Sequence, residues 1–417
     1  MEEIGRQDLI YPWNFLNYKG KNTRELLNRR KIPIEIVDET LRDGLQSPSA
    51  KTPSISEKIK ILHYLNNLGV NMVTLGLPAA GEDVKNDVHK LAREVLSSNL
   101  RVNIACAART VVSDIEPIVD ITQKVGIPID AHIFVGSSMI RSYVEGWNLD
   151  KLLRLTEESI KYCNKHNVKV NFVTEDTTRT EPRRLTKLLT TAIESGARRV
   201  CICDTVGYAT PDGVRNIVEF VRKIIWDTGE KVLIDWHGHN DRGLGLNNAL
   251  VAIMDAEVDR AHGTVLGIGE RAGNAPLDLL LINLCLMGLY GGDLTSLGDL
   301  CKFTAKALDL PISYHYPAFG NDAFKTATGV HAAAIIKAYE KKEDNWFADY
   351  IYSSVPANKI GLKQKIGIGP MSGKSNVIFW LEDRDIKVKE KIVDKIYNIA
   401  KQSDHVLTDE EIYKIIK

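Results

Sequence analysis

The sequence lacks most of the features that would take it out of the ordinary soluble globular class. It has no apolar run long enough to span a bilayer, which excludes a membrane helix. Its first residues, MEEIGRQDLIYPWNF, have neither a basic start nor an apolar core, so a secretory leader is not expected. An excess of one charge is also missing, since 54 Lys and Arg balance 54 Asp and Glu. That balance removes the electrostatic reason to expect nucleic acid or a membrane surface as a partner. Cysteine is sparse: Cys106, Cys163, Cys201, Cys203, Cys285 and Cys301 are scattered along the chain and form no CxxC pair. They read as buried free thiols in a reducing compartment, with the cytoplasm as the expected location. No internal repeat or low-complexity stretch is visible.

What is present is a rhythm. At 417 residues the chain exceeds one average domain, so one large domain with an appendage is expected. From residue 31 short β-branched apolar runs alternate with longer segments of helical period. Eight runs read as strands, at 34–40, 70–76, 101–107, 129–135, 169–175, 198–204, 231–237 and 259–266. Their starts lie roughly 30 residues apart, the size of one βα unit. Strands alternating with helices make a parallel sheet, and eight such units close a barrel of about 250 residues. An open doubly wound sheet is the alternative, but no dinucleotide fingerprint follows the first strand. The expected fold is therefore α/β, a (β/α)8 TIM barrel over 31–300. An N-terminal extension covers 1–30, and a helical C-terminal extension covers 301–417.

Local signals agree. SISEKIKILHYLNNLGV opens on Ser54 with Glu57 at capping-box spacing and closes on Gly69. TPDGVRNIVEFVRKI opens on Thr210 and Pro211. After residue 300 the strand rhythm stops, and 373–417 has helical periodicity rich in Lys, Asp and Glu.

In a TIM barrel the active site lies at the C-terminal ends of the strands, so polar residues that end an apolar strand are the candidates. Strand one ends in DETLRDGLQ, which supplies Arg42 and Asp43. Strand seven ends in WHGHND, where His237 and His239 are two apart and point to one side of an extended segment. Strand eight leads into GTVLGIGERAGN, whose glycines permit close backbone approach and whose Asn274 offers an amide oxygen. Around a closed barrel these groups meet, and their mixed oxygen and nitrogen donors suit Mg²⁺, Mn²⁺ or Zn²⁺. The strands between supply His132, Glu175 with Asp176, and Asp204 with Thr205. Each of these carboxylates is also readable as a capping or barrel-mouth salt-bridge residue.

DETLRDG, HGHNDRGLG and HGTVLGIGERAGN, in this order and spacing, resemble the metal-dependent acyl-CoA aldol family. It includes 2-isopropylmalate, homocitrate and citramalate synthases and 3-hydroxy-3-methylglutaryl-CoA lyase. The resemblance runs over about residues 34–370 and implies specific roles. Asp43, His237 and His239 match metal ligands, and Asn274 an amide in or near the coordination shell. Arg42 matches the arginine that steadies the developing enolate or alkoxide oxygen, and Glu175 a catalytic glutamate. Thr205 matches the threonine that binds the keto-acid carboxylate, and His132 a histidine of the keto-acid pocket, with Val173 as an apolar wall. His331, in TGVHAAAIIK, matches a histidine that a partner subunit donates, and Tyr352 a tyrosine from the same region. The implied enzyme is a homodimer with shared sites that condenses acetyl-CoA with a 2-keto acid. His331, Tyr352 and Glu175 are the candidate enolising bases.

Three departures bear on the substrate. Leu45 stands where the synthases usually have Glu or Asn, Thr74 where they commonly carry a glutamate, and Val173 where isopropylmalate synthases often have serine. GIGERAGN lacks the cysteine that lyases carry in that loop. The expected activity is 2-isopropylmalate synthesis from acetyl-CoA and 2-ketoisovalerate, the first committed step of leucine biosynthesis. Pyruvate, 2-oxoglutarate and oxaloacetate are the alternative keto acids, and a catalytically inactive metal-binding scaffold is the alternative class. Because the chain stops at Lys417, without the further regulatory domain of leucine-sensitive synthases, weak or absent leucine inhibition is expected.

Overall fold

A computed structural model describes residues 9–11, 14, 34–341 and 346–417. The extension expected over 1–30 falls almost wholly outside these residues. The chain forms two compact units. One runs to Gly292 and takes in Leu300–Leu310, and the other comprises Asp293–Asp299 and Pro311–Lys417.

The first unit is a TIM barrel. Its strands are β1 (Glu35–Asp38), β2 (Met72–Thr74), β3 (Asn103–Arg109), β4 (Asp130–Gly136), β5 (Val170–Glu175), β6 (Arg199–Asp204), β7 (Leu233–Gly238) and β8 (Arg260–Gly263). Neighbours pair in parallel in sequence order, and β8 pairs with β1 to close the ring. Helices follow the strands, among them Ile55–Leu68, Glu82–Ser97, Val112–Val125 and Pro211–Thr228. Because each strand is covered on both faces, its apolar residues run almost without interruption. Ile36, Val37, Ile104, Ile133, Phe172, Ile202 and Ile234 are all buried.

The end signals do what their chemistry requires. Ser54 accepts the Glu57 N–H while the Glu57 side chain reaches back to the Ser54 N–H, and Gly69 closes the helix at φ +83°. Thr210 accepts the Gly213 N–H ahead of Pro211. The eighth strand is shorter than the pattern 259–266 suggests. It stops at Gly263 because the chain turns through a 3₁₀ segment, Val265–Gly267, with Leu266 at φ +59°. A helix not foreseen, Met139–Glu145, follows β4 and is capped by Ser138.

The lower part of the barrel interior is ionic. Asp235, fully buried, accepts hydrogen bonds from Arg199 Nη1 at 2.8 Å, Arg260 Nη2 at 2.7 Å and Asn171 Nδ2 at 2.7 Å. A carboxylate can be buried there because its charge is matched and its lone pairs are filled.

In the second unit, helices Lys374–Glu382, Glu390–Gln402 and Asp409–Ile416 pack around Trp380, Leu381, Val393, Ile396 and Ile412. A two-stranded parallel pair, Lys325–Thr326 with Lys365–Ile366, accompanies them. Among the described residues no helix is long and apolar enough to cross a membrane.

Candidate active site

The C-terminal ends of the strands surround a cavity of about 220 Å³. Arg42 and Asp43 enter it from the turn after β1, which is closed by the Arg42 and Gly44 N–H groups donating to the Glu39 carbonyl. His132 reaches it from β4, Val173 and Glu175 from β5, and Thr205 from the turn after β6. His237 lies one residue before the end of β7, and His239 follows on the same side, as the two-residue period requires.

Asp43, His237 and His239 converge. His237 Nε2 lies 3.1 Å and His239 Nε2 3.6 Å from Asp43 Oδ2, and the two Nε2 atoms are 3.4 Å apart. All three residues are buried. Burial pushes the Asp43 carboxyl up, but Arg42 and the two imidazoles outweigh it and hold the group well below the usual carboxylate range. Burial, with His237 alongside, lowers His239 to about 4, so its ring is neutral at pH 7. An ionised carboxylate and a neutral imidazole are the forms that bind a metal. Two further atoms await a partner. Among the described residues the buried Asp43 Oδ1 and Asn274 Oδ1 have no hydrogen-bond partner.

Asn274 is brought to His239 by an isolated antiparallel bridge between the two residues. The loop before it closes on itself: the Asn274 N–H donates to the Gly267 carbonyl, and Asn274 Nδ2 donates to the Ile268 carbonyl. Gly273 makes this possible at φ +82°, where a β-carbon would stand 1.9 Å from the Gly267 oxygen. The glycines of GIGERAGN thus serve the loop's own closure and fix the amide. This buried set of oxygen and nitrogen donors with unfilled acceptors fits a hard or borderline divalent ion.

The remaining groups surround the cluster. Arg42 Nη1 is 3.4 Å from Asp43 Oδ2. Thr205 Oγ1 accepts the Asp176 N–H at 2.8 Å, which leaves its own proton free to donate. His132 is lowered to about 4 by burial, and its Nε2 finds no partner among the described residues. Burial raises the Glu175 carboxyl above its ordinary value. Leu77, Ala107, Phe134 and Val173 make the apolar part of the wall. His331 and Tyr352 lie in the second unit, 21 positions apart in sequence, with ring centroids 4.3 Å apart and planes at 36°. Both are exposed.

Sequence reading passed over Glu39 and His262, which also line the cavity. The available signal was the alternation of Arg260 with His262 along β8, which points both side chains inward. It also passed over Arg271, whose Nη2 donates to the Thr205 carbonyl at 2.7 Å and whose Nε donates to Asp241 at 2.8 Å, tying two mouth loops together.

The model of the HMGL-like family matches residues 33–305. The chain belongs to the HMGL-like family. Among curated relatives, homocitrate synthase AksA of Methanopyrus kandleri is 30% identical over 382 residues, with 89% of each chain covered. The 2-isopropylmalate synthase of Saccharolobus solfataricus is 30% identical over 399 residues, covering 93% of this chain and 96% of that one. The HMG-CoA lyase of Bacillus subtilis superposes with a TM-score of 0.56 at 18% identity, over 68% of this chain and 95% of that one, and shares the fold.

Proposed function

We propose that the chain is a 2-isopropylmalate synthase-type acyltransferase, condensing acetyl-CoA with 2-ketoisovalerate and hydrolysing the thioester. The observation that carries the choice of keto acid is the cavity wall. Among the described residues Arg42 is the only lysine or arginine lining it, and it is already committed to Glu39 and Asp43. A dicarboxylic keto acid needs a second cation for its distal carboxylate, because a buried unpaired charge is costly. Arg141, the cation the sequence offers, is not among the lining residues; it pairs with Glu145 at 3.2 Å and acts on the Glu175 carboxyl without itself lining the cavity. Leu77, Ala107, Phe134 and Val173 instead offer apolar contact to a branched alkyl group. The cavity is also smaller than the roughly 300–1,000 Å³ of sites for drug-sized ligands, in keeping with a small acid.

Asp43, His237, His239 and Asn274 would hold the divalent ion, Mg²⁺, Mn²⁺ or Zn²⁺. When bound there it supplies a Lewis acid beside the keto-acid carbonyl. Thr205 donates its hydroxyl proton to the substrate carboxylate, and His132 meets the substrate with its free Nε2. Arg42 steadies the oxygen on which negative charge develops. Glu175, with its carboxyl raised by burial, accepts and returns a proton during the condensation. His331 and Tyr352 act as a pair on the acetyl group, serving the barrel of a second copy in a homodimer. All six cysteines are free, a state that a reducing cytoplasm preserves.

The test is a panel of 2-keto acids with acetyl-CoA, following release of the free CoA thiol. kcat/KM for 2-ketoisovalerate should exceed that for pyruvate by at least about 10–200-fold, the usual worth of one methylene in an apolar pocket, since the two acids differ by two carbons. A preference for 2-oxoglutarate would move the chain to homocitrate synthesis, and a preference for pyruvate to citramalate synthesis. No release with any keto acid, despite bound metal, would favour the scaffold.

A further inference from the structure

One buried carboxylate that lines the cavity has no part in the roles above. Glu39, 1% exposed, is the residue after β1. Its Oε2 accepts from Arg42 Nε at 2.8 Å. Its Oε1 accepts from Thr74 Oγ1 at 3.0 Å and lies 3.0 Å from His262 Nδ1. The other His262 nitrogen is 3.1 Å from Asp235 Oδ2. Glu39 therefore links the ionic floor of the barrel to Arg42, and Arg42 links it to Asp43.

The partner on β2 is informative. Val37 pairs with Met72 and Asp38 with Val73, so the next step of the register sets Glu39 beside Thr74. Both side chains point inward and meet each other. A hydroxyl and a carboxylate thus occupy two adjacent inward positions, and their order across the strands leaves a single carboxylate at this point.

We propose that Glu39 is a positioning residue of the active site, that its carboxylate is needed at the Arg42–His262 junction, and that either of the two paired strands can deliver it. The proposal rests on the condensing role for Arg42 given above. The physical reason is geometric. Arg42 carries its charge on a fixed planar fork, so one carboxylate on Nε sets where the Nη groups point. Without Glu39 the guanidinium is left to Asp43 alone, at the metal cluster, and His262 keeps only Asp235. With glutamate at both positions two buried carboxylates would meet within bonding distance, which is unfavourable.

The test compares the parent with E39T, T74E and the double variant E39T/T74E. Mn²⁺ is titrated calorimetrically into the metal-free protein, without substrate, and CoA release and thermal unfolding are measured alongside. E39T should weaken Mn²⁺ binding on the order of 10-fold, as loss of a residue behind the ligands does. It should lower kcat by about 100-fold through a misplaced Arg42, with little change in KM for the keto acid. T74E alone should also be impaired. The double variant should regain at least about 10-fold in kcat and most of the Mn²⁺ affinity, a recovery expected only if the carboxylate itself positions the site. E39Q, which keeps the shape and loses the charge, replaces E39T should the latter unfold. A folded E39T or E39Q that matches the parent in Mn²⁺ affinity and kcat overturns the proposal. So does a folded double variant that regains nothing. A parent that releases no CoA, while Mn²⁺ affinity falls in E39T and returns in the double variant, would sink the condensing role and leave Glu39 as the positioning residue.

Discussion

His237 Nε2 faces Asp43 Oδ2 across 3.1 Å, with His239 Nε2 3.4 Å from the His237 nitrogen. Three donors held this close on a barrel mouth, two of them neighbours in a strand period, make a site whose parts cannot be spared. Asp43→Ala and His237→Ala should each abolish Mn²⁺ binding in calorimetry and abolish turnover with it. Full activity in either variant would sink the assignment of the metal site.

The floor of the barrel should govern stability instead. Asp235 is the shared acceptor of Arg199, Arg260 and Asn171, and lies beside His262. Asp235→Ala leaves the buried Arg260 without its carboxylate, while Arg199 keeps only Glu35 at 3.0 Å. Breaking a buried network from one side costs about 3–5 kcal/mol. The midpoint of denaturant unfolding should fall accordingly, and a loss under about 1 kcal/mol would mean that water or neighbouring groups replace the carboxylate readily.

His132 gives the barrel a pH dependence with a definite sign. Burial lowers its pKa from 6.5 to about 4. Between those values the unfolded chain takes up a proton that the folded chain refuses. The neutral ring's contribution is therefore complete above about pH 6.5 and is lost as pH falls toward 4. For a shift of that size the loss by pH 4.5 is about 2.5 kcal/mol. In the metal-free protein, His132→Gln should narrow the gap in unfolding free energy between pH 7 and pH 4.5 by roughly that amount. An unchanged gap would show that the ring is protonated in the folded state.

Much of this architecture was legible in the residues, for reasons that particular segments show. Strands buried on both faces leave β-branched runs such as that of β6, RVCICD, whose ends the sequence places within a residue or two. The eighth strand was overextended because Val265 and Leu266 are apolar, and apolarity does not report that Leu266 turns to φ +59°. WHGHND was readable because two histidines share one side of a strand. Glu39 was not singled out, since beside Arg42 and Asp43 it reads as one more charge in a turn. Only the register of β1 on β2 puts it against Thr74. The tilted contact of His331 with Tyr352 follows no helical or strand period. The pair Lys325–Thr326 with Lys365–Ile366 is too short to leave a pattern at all.

The contact of His331 with Tyr352 carries the last expectation. His331 and Tyr352 are solvent-exposed aromatic side chains held ring against ring in the second unit, while Asp43 belongs to the barrel. If the pair serves a neighbouring copy, each active site draws on two chains, and the defects of two inactive variants can complement. His331→Ala lacks the donated imidazole but has an intact metal cluster, whereas Asp43→Ala has the imidazole but no metal cluster. Mixed and allowed to exchange subunits, a random population is half mixed dimers. Each mixed dimer contains one site built from an intact Asp43 and an intact His331 and a second site lacking both. About a quarter of the parent activity should therefore return, on the statistical ground that half the dimers carry one working site of two. Native mass spectrometry of differentially labelled chains measures the exchange independently of activity. Recovery near that level would establish a shared site, whereas exchange with no recovery would assign His331 to its own barrel or to none.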